Sequence, residues 1–339
     1  MGAMSEGRIG EVEPVEPAYR NPEIDAVARE LDDKPFTERA RIGTRTRRRV
    51  GWLLLVLGFA LLASVWAAGV RSTDPAAVSR LFVPSVIVAG VVFETLDSAS
   101  GMGFGTALSP LLFSLGYAPL EVVPALFVTE SMSGLLAGAM HHEFENVEFS
   151  IRPPLTDATR AVIVLTAGGI AGTVLSVLLA YLALGLPEAL IEGYVAVLVI
   201  GMGLVGIARQ YLPRSNVYRP RRLAGFALLA GVNKGISGGG FGPVVTLGQI
   251  FAGVYEKTAT AITSFAEGLV SLVGAVLYLT LFAAGFAVDY RLLPSLLVGS
   301  VVAAVVAPYL VRVVPGNLLG YLIPAYAFGI GLVVLSQLV

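Results

Sequence analysis

The sequence contains no cysteine and only two histidines, which are adjacent at His141 and His142. The absence of thiols excludes disulfide bonds, thiolate catalysis and cysteine-ligated metals. A lone pair of histidines offers too few ligands for a metal site, and we expect both side chains to lie at a membrane interface. The sequence therefore predicts no metal site and no cofactor.

Charged residues are also scarce. They make up 14% of the chain, whereas soluble domains carry about 25%. Hydrophobic residues reach 55%, the mean hydropathy is +0.78, and apolar runs of membrane length recur from Gly51 onward. This composition predicts an all-α polytopic protein embedded in a lipid bilayer. A net charge of -1 without a basic face gives no support for a nucleic-acid partner.

Charge is concentrated instead in residues 1–49, which hold ten Lys/Arg and ten Asp/Glu. This segment has no apolar core of the signal-peptide kind near its start. Residues 21–49 are predicted to form a surface helix that ends in the basic cluster RTRRRV. We interpret residues 1–49 as a cytoplasmic tail and topology anchor, followed by one extra transmembrane helix at 50–70.

Two predicted helices are too short to cross a bilayer alone. The segments 104–117 and 241–254 span roughly 21 Å at about 1.5 Å per residue, against about 30 Å of hydrocarbon, and are interpreted as half-helices. The other helical segments are predicted at 50–70, 81–97, 119–141, 158–184, 188–210, 222–236, 258–284, 290–312 and 317–338.

An internal repeat links the two glycine-rich stretches SGMGFG and SGGGFG, which begin at Ser100 and Ser237, 137 positions apart. The same offset carries Glu130 onto Glu267 without a gap. A glutamate duplicated inside two apolar segments is not expected by chance. The pattern predicts one transmembrane repeat at 81–210 and a second at 222–338.

The loop charges predict that these repeats are inverted. By the positive-inside rule the basic loops are cytoplasmic, namely the tail before Gly51, 142–158 and 209–222. The opposite side then carries only Arg71, Arg80 and Arg291. The first repeat therefore starts outside and the second inside. The protein is predicted to lie in the inner membrane of the cell, with its N-terminus in the cytoplasm. Both a full crossing and a returning hairpin at 81–117 satisfy this orientation.

The glycine-rich breaks are candidate substrate sites. Non-helical backbone inside a bilayer must line a cavity or be buried in protein, and broken helices at equivalent places in inverted repeats indicate a transporter site near mid-membrane. The half-helix after each break directs free N–H groups into the gap, which favours an anion. The alternative is that the glycines only allow close helix packing. The candidate substrate-binding residues are Ser98, Ser100, Gly101, Gly103, Phe104, Gly105, Thr106, Lys234, Ser237, Gly238, Gly239, Gly240, Phe241 and Gly242.

Charged residues inside the apolar segments form a second candidate group. Lys234 adjoins the second break, and a buried lysine there favours a small anionic substrate. Asp97 aligns with Lys234 in the repeat and is an alternative partner for it. The carboxylates either carry protons or act as fixed acceptors for backbone N–H groups, and they are Glu94, Asp97, Glu130 and Glu267.

These motifs resemble the sulfite exporter TauE/SafE family, also called the toluene-sulfonate uptake permeases. The resemblance covers roughly 85–338 and rests on SGMGFGTALSPLLFSLGYAP and SGGGFGPVVTLGQIFAGV, each followed by a helix rich in small residues (SGLLAGAMHH and VSLVGAVLYL). It implies transport of sulfite, sulfonates or related organosulfur or carboxylate anions, often outward. The chain departs from the family pattern at Met102, where a glycine is expected, and in its long charged N-terminus.

Two rival functions are weighed against a transporter. GISG at Gly235–Gly238 matches the GxSG of rhomboid-like intramembrane serine proteases, but such a site needs a histidine base near Ser237. A one-nucleophile enzyme also has no use for the repeat equivalent, Ser100. We therefore expect no enzyme, and we predict an alternating-access secondary transporter of a small anion, with an anion channel on the same scaffold as the alternative. Protons are a candidate coupling ion if the carboxylates carry protons and are not fixed acceptors.

Overall fold

The computed structural model describes residues 22–67, 81–102, 104–179, 188–209, 211, 220–285 and 288–337. Among these residues there is no strand. The helices are α1 Pro22–Asp33, α2 Phe36–Arg39, α3 Thr44–Ala67, α4 Pro84–Ser100, α5 Phe104–Ser114, α6 Pro119–Glu143, α7 Asp157–Val177, α8 Glu188–Arg209, α9 Pro220–Ser237, α10 Phe241–Phe251, α11 Glu256–Ala283, α12 Leu293–Val313 and α13 Gly316–Gln337. The predicted all-α fold is confirmed. The ends of the predicted segments 50–70, 158–184 and 317–338, and the candidate Gly103, fall outside the described residues.

Five of the described helices are long and apolar enough to cross a membrane, and they are α6, α7, α11, α12 and most of α13. Their apolar character is not confined to one narrow face, which suits helices that meet both protein and lipid. Many large apolar side chains on them remain exposed in the isolated chain, such as Leu279, Val302 and Val333. The protein is therefore a multi-pass membrane protein.

Each glycine-rich stretch separates two helices. Helix α4 ends at Ser100 and α5 begins at Phe104, while α9 ends at Ser237 and α10 begins at Phe241. Gly101 and Gly238 take up left-handed backbone angles, with φ of 70° and 74°. A side chain at either position would be strained.

The offset of 137 positions persists in the local structure. Helices α5 and α10 both have 11 residues, and their first residues, Phe104 and Phe241, are related by this offset. Each is followed by a glycine in the left-handed region, Gly116 with φ of 89° and Gly253 with φ of 94°. The starts of α6 and α11 are separated by the same interval. Residues 104–119 and 241–256 therefore fold locally in the same way.

Helices α6 and α11 pack tightly against each other and run in opposite directions. A Cβ atom at Gly138 would lie 2.6 Å from Cβ of Phe265, and one at Gly274 would overlap the ring of Phe127. Residues later in α6 therefore face residues earlier in α11. Small residues let these two backbones approach closely.

Helices α8 and α13 also run antiparallel. A Cβ at Gly206 would lie 2.8 Å from Cβ of Pro324, and one at Gly331 would lie 2.5 Å from Cγ1 of Ile200. Helices α7 and α9 instead run parallel. In that pair Gly168 faces Ala227 and, further along, Thr173 donates to the carbonyl of Gly231 at 3.1 Å.

Helices α4 and α5 form a hairpin that enters and leaves by one end of the bundle. The N–H of Val83, before α4, donates to Ser295 Oγ at 2.9 Å. The carbonyl of Leu120, after α5, accepts from the N–H of Asp289 at 3.2 Å. Both contacts involve residues 288–295, so residues 81–83, 117–120 and 288–295 lie at the same end of the bundle. We name this end the opposite face, because it is opposite to the end where the N-terminal segment lies.

The N-terminal segment marks the other end of the bundle. Asp32 accepts from Lys257 Nζ at 2.6 Å, from the N–H of Gly316 at 2.8 Å and from the hydroxyl of Tyr255. Residues 144–145 join them, since the carbonyl of Phe144 accepts from Arg312 at 2.7 Å. We name this end, with α1, 252–257 and 312–316, the N-terminal face. Helices α9 and α10 form their hairpin from this face, because α10 leads directly into Tyr255.

The N-terminal segment is therefore docked onto the bundle from Pro22 onward. The single surface helix expected over 21–49 is divided within the described residues into α1, α2 and the start of α3. Pro35 accounts for the first division, because proline disfavours helical angles in the residue before it. Helix α1 buries Ile24, Ala28 and Leu31 against the membrane-spanning helices.

Candidate functional site

The two glycine-rich breaks touch each other in the interior of the bundle. The N–H of Gly240 donates to Thr106 Oγ1 at 2.8 Å, across 134 positions of sequence. A Cβ at Gly239 would lie 2.6 Å from the nitrogen of Thr106, and one at Gly242 would lie 2.7 Å from Cα of Met102. The first residues of α5 and α10 thus lie side by side, with no room for side chains on Gly105, Gly239 or Gly242.

The serines of the breaks are buried and already hydrogen-bonded. Ser98 donates to Glu94 Oε1 at 2.7 Å, Ser100 to the carbonyl of Leu96 at 2.6 Å, and Ser237 to the carbonyl of Asn233 at 3.0 Å. The hydroxyls of Ser100 and Ser237 therefore bond to carbonyls in the last turns of α4 and α9, and that of Ser98 bonds to a side chain. Binding a substrate through them would require these hydroxyls to rotate.

Lys234 is fully buried and lies between the two repeated glutamates. Its ammonium donates to Glu267 Oε1 at 2.8 Å and to Glu130 Oε2. Asp97, its aligned residue, makes no hydrogen bond or ion pair with it among the described residues. The lysine is thus paired with two carboxylates, and each keeps one buried oxygen without a partner, Glu130 Oε1 and Glu267 Oε2.

Glu94 belongs to a separate set of contacts on the side of α4. Its Oε2 accepts from Ser133 Oγ at 3.0 Å, and this hydrogen bond joins α4 to α6 in the interior of the bundle. With Ser98 also donating to Oε1, both oxygens of Glu94 are occupied. Its contacts suit a fixed acceptor of hydrogen bonds.

The two histidines have different environments, and the expectation that both lie at an interface is wrong for His141. His142 is exposed, whereas His141 is fully buried with Nε2 3.0 Å from the carbonyl of Ser98. Because a carbonyl only accepts, Nε2 carries the proton, and Nδ1 accepts from Asn146 Nδ2 at 3.0 Å. Neighbouring residues on a helix point about 100° apart, so only one of the pair faces the interior.

Sequence reasoning also missed Thr246. Its hydroxyl donates to the carbonyl of Gly101 at 2.7 Å and so connects α10 to the first break. The signal that could have found it is the repeat offset, which relates Thr246 to Ser109. Among the described residues there is no cluster of three or more histidine, aspartate or glutamate side chains that could hold a metal.

Comparison with known proteins agrees with this membrane architecture. The family model described as "Sulfite exporter TauE/SafE" matches residues 86–334, so it includes both breaks and begins after α3. The chain is also similar to the "Probable membrane transporter protein YtnM" of Bacillus subtilis (strain 168), with 25% identity over 249 residues, 70% of this chain and 77% of the relative. No solved structure matches the chain. Since the family model spans both glycine-rich breaks and every helix from α5 to α12, the protein belongs to the sulfite exporter TauE/SafE family of membrane transporters.

Proposed function

We propose that the protein is a secondary transporter of a small anion, which binds between the first residues of α5 and α10 near the middle of the membrane. The family name points to sulfite, and sulfonates or related organosulfur and carboxylate anions share its chemistry. The observation that carries the proposal is the direct contact of the two breaks through Gly240 and Thr106. Two helix N-termini meeting in a buried region offer backbone N–H donors to an anion.

We further propose that residues 81–210 and 222–338 are inverted repeats, preceded by the tail 1–49 and an extra helix at 50–70. The antiparallel packing of α6 on its repeat equivalent α11 supports this. A two-fold axis that exchanges antiparallel helices is perpendicular to both, and for spanning helices it lies in the membrane plane. The hairpins α4–α5 and α9–α10 come from opposite ends of the bundle, and α5 and α10 are their half-helices.

Proton coupling through Glu130 and Glu267 forms part of the proposal. Two carboxylates, Glu130 and Glu267, share the one ammonium of Lys234, so an added anion would face a surplus of negative charge. Protonation of a carboxylate would remove that surplus. The unpartnered Oε1 of Glu130 lies next to the breaks, since a Cβ at Gly105 would lie 2.8 Å from it.

The orientation proposed has the N-terminal face in the cytoplasm and the protein in the inner membrane. The basic residues of α3, such as Arg47 and Arg49, belong to this face, and Arg49 pairs with Glu143. Positive charge next to membrane helices favours the cytoplasmic side. Alternating access then exposes the anion first to one face and next to the other as the hairpins rock.

The test is counterflow in liposomes. Purified protein is reconstituted with sulfite, a sulfonate, sulfate or a carboxylate inside, and uptake of labelled anion is followed. With the membrane potential clamped at zero, a carrier accumulates the label transiently with one class of anion, whereas a channel of the same selectivity only equilibrates it. Glu130→Gln and Glu267→Gln are expected to change the pH dependence of counterflow, and Glu148→Gln, at an exposed position, is the matched control. Identical pH profiles in all variants would contradict proton coupling through these glutamates.

A further inference from the structure

The two breaks pack against equivalent positions of the other repeat. A Cβ at Gly101 would lie 3.2 Å from Cα of Thr260 and would overlap the hydroxyl of Thr246. A Cβ at Gly238 would lie 3.3 Å from Val123 Cγ2 and 3.4 Å from Ser109 Oγ. The offset of 137 relates Ser109 to Thr246 and Val123 to Thr260, so the two surroundings can be compared position by position.

The two surroundings differ in polarity. We define the α10–α11 seam as Thr246, Gln249, Thr260 and Thr263, and the α5–α6 seam as the equivalent Ser109, Leu112, Val123 and Leu126. All eight side chains are buried. Three positions are thus polar in the second repeat and apolar in the first, although the helices that carry them have the same local structure.

Hydrogen bonds run along the α10–α11 seam from the first break. Thr246 Oγ1 donates to the carbonyl of Gly101 and lies 2.9 Å from Thr263 Oγ1. Gln249 Nε2 donates to Thr263 Oγ1 at 2.7 Å. A buried polar chain therefore leads away from the site.

Two groups of this seam are buried without any partner, Gln249 Oε1 and Thr260 Oγ1. An unpartnered buried polar group costs about 1–3 kcal/mol. Packing alone does not require these groups, because the α5–α6 seam places Leu112 and Val123 at the same positions. The unpartnered hydroxyl of Thr260 therefore points to a ligand that accepts a hydrogen bond during function, whereas Gln249 Oε1 is itself an acceptor.

The seam leads to the N-terminal face. Gln249 lies in the last turn of α10, and its carbonyl accepts from the N–H of Val254 at 3.0 Å. The next residue, Tyr255, donates its N–H to Asp25 Oδ1 at 3.1 Å. Ile24 of α1 belongs to the same buried cluster as Val254. Helix α1 therefore covers the outer end of the seam.

We propose that the α10–α11 seam lines the route of the substrate between the two breaks and the N-terminal face, and that α1 covers the mouth of this route. The proposal rests on the proposed function. The ligand is a small oxoanion, and the seam binds it through hydroxyl donors that carry no charge, of which that of Thr260 has no partner in the structure. Neutral donors hold an anion without trapping it in an ion pair, which suits a passage. Thr260 and Thr263 are thereby assigned as substrate contacts.

The first test removes the hydroxyls and keeps the shape. The double variant Thr260→Val and Thr263→Val is expected to lower counterflow about tenfold, the rate equivalent of one lost hydrogen bond, with a modest loss of unfolding temperature because Thr263 Oγ1 accepts from Gln249. Thr260→Ser with Thr263→Ser keeps both hydroxyls and should retain transport. Thr129→Val is the matched control, because it removes a buried hydroxyl that bonds only to the carbonyl of Ala125 in its own helix.

The second test uses chemical access and does not depend on the valine variants. The natural chain has no cysteine, so Thr260→Cys introduces a single thiol. A membrane-impermeant anionic thiosulfonate is expected to modify it from the N-terminal face, and the transported anion should slow the reaction. Val123→Cys, at the equivalent position, should not react from that face.

These outcomes separate the two proposals. If the wild type shows no counterflow with any anion, the proposed function itself fails. If the wild type transports and the valine variant transports equally fast, or the thiol at position 260 is inert from the N-terminal face, the route through the seam is wrong.

Discussion

The ammonium of Lys234 lies 2.8 Å from Oε1 of Glu267, and both side chains are buried in the region where the two breaks meet. Glu130, the repeat equivalent of Glu267, pairs with the same ammonium. One lysine thus joins α9 to both of the long central helices, α6 and α11. Any movement of the α9–α10 hairpin relative to these helices must stretch or exchange these ion pairs.

Removing the lysine is expected to destabilise the protein strongly. Lys234→Met would leave two buried carboxylates without a counter-ion, and loss of one partner of a buried ion pair costs about 3–5 kcal/mol. We expect a lower unfolding temperature in detergent and no transport. The triple variant Lys234→Met, Glu130→Gln and Glu267→Gln should recover much of the stability and still fail to transport. A single Lys234→Met variant as stable as the wild type would show that the pairing contributes little.

The contact between the breaks predicts a sharp contrast between two glycines. A Cβ at Gly105 would overlap the carbonyl oxygen of Gly238, so Gly105→Ala should force the breaks apart, lower stability and abolish counterflow. A Cβ at Gly225 meets nothing within 4 Å. Gly225→Ala should therefore leave transport intact and gain up to about 1 kcal/mol from helix propensity. Thermal unfolding and counterflow on both variants check the contrast, and equal effects would contradict the packing.

Two adjacent aspartates test the docking of the N-terminal segment. Asp32 accepts from Lys257, whose side chain is fully buried, whereas Asp33 is exposed. Asp32→Ala leaves that ammonium unpaired and should cost about 3 kcal/mol, with faster proteolysis of residues 22–43. Asp33→Ala is the control and should behave as the wild type. Resistance of the Asp32→Ala variant to protease at the wild-type level would mean that α1 is held by its apolar face alone.

Docking of α1 should also depend on pH through Asp25. Burial raises the pKa of the Asp25 carboxyl, although Arg29 and the N–H of Tyr255 oppose that shift. The docked state then holds its proton at a higher pH than the free state, so docking is strongest in acid and weakens as the pH rises from about 3.9. Asp25→Asn keeps an acceptor for Tyr255 and should raise the unfolding temperature at neutral pH. It should also reduce the dependence of that temperature on pH, and an unchanged dependence would exclude Asp25 as its source.

Much of the architecture could be predicted because it follows from strong local signals. The starts of α5 and α10 at Phe104 and Phe241 were predicted to the residue, since glycine-rich sequence ends a helix and apolar sequence resumes it. The repeat offset likewise identified Glu130 and Glu267 as a pair. Both signals lie within short stretches of sequence or in comparison of the chain with itself.

Contacts between distant segments could not be predicted in the same way. The sequence suggested a substrate or Asp97 as the partner of Lys234, but the partner depends on how α6 and α11 cross, which no local pattern encodes. The burial of His141 and the docking of Asp32 on Lys257 have the same origin. From the sequence alone, His141 was expected at an interface and Asp32 in a tail, because the partner of each residue is known only from the fold.

The hydrogen bonds that Asp32 accepts have a practical consequence for protein engineering. The family model begins at residue 86, which invites trimming the chain to that boundary for expression or crystallisation. Such a trimmed protein would expose the apolar surface under Leu31, and the ammonium of Lys257 would lose its counter-ion. Purification tags belong ahead of Pro22, and a shortened version should retain everything from α1 onward.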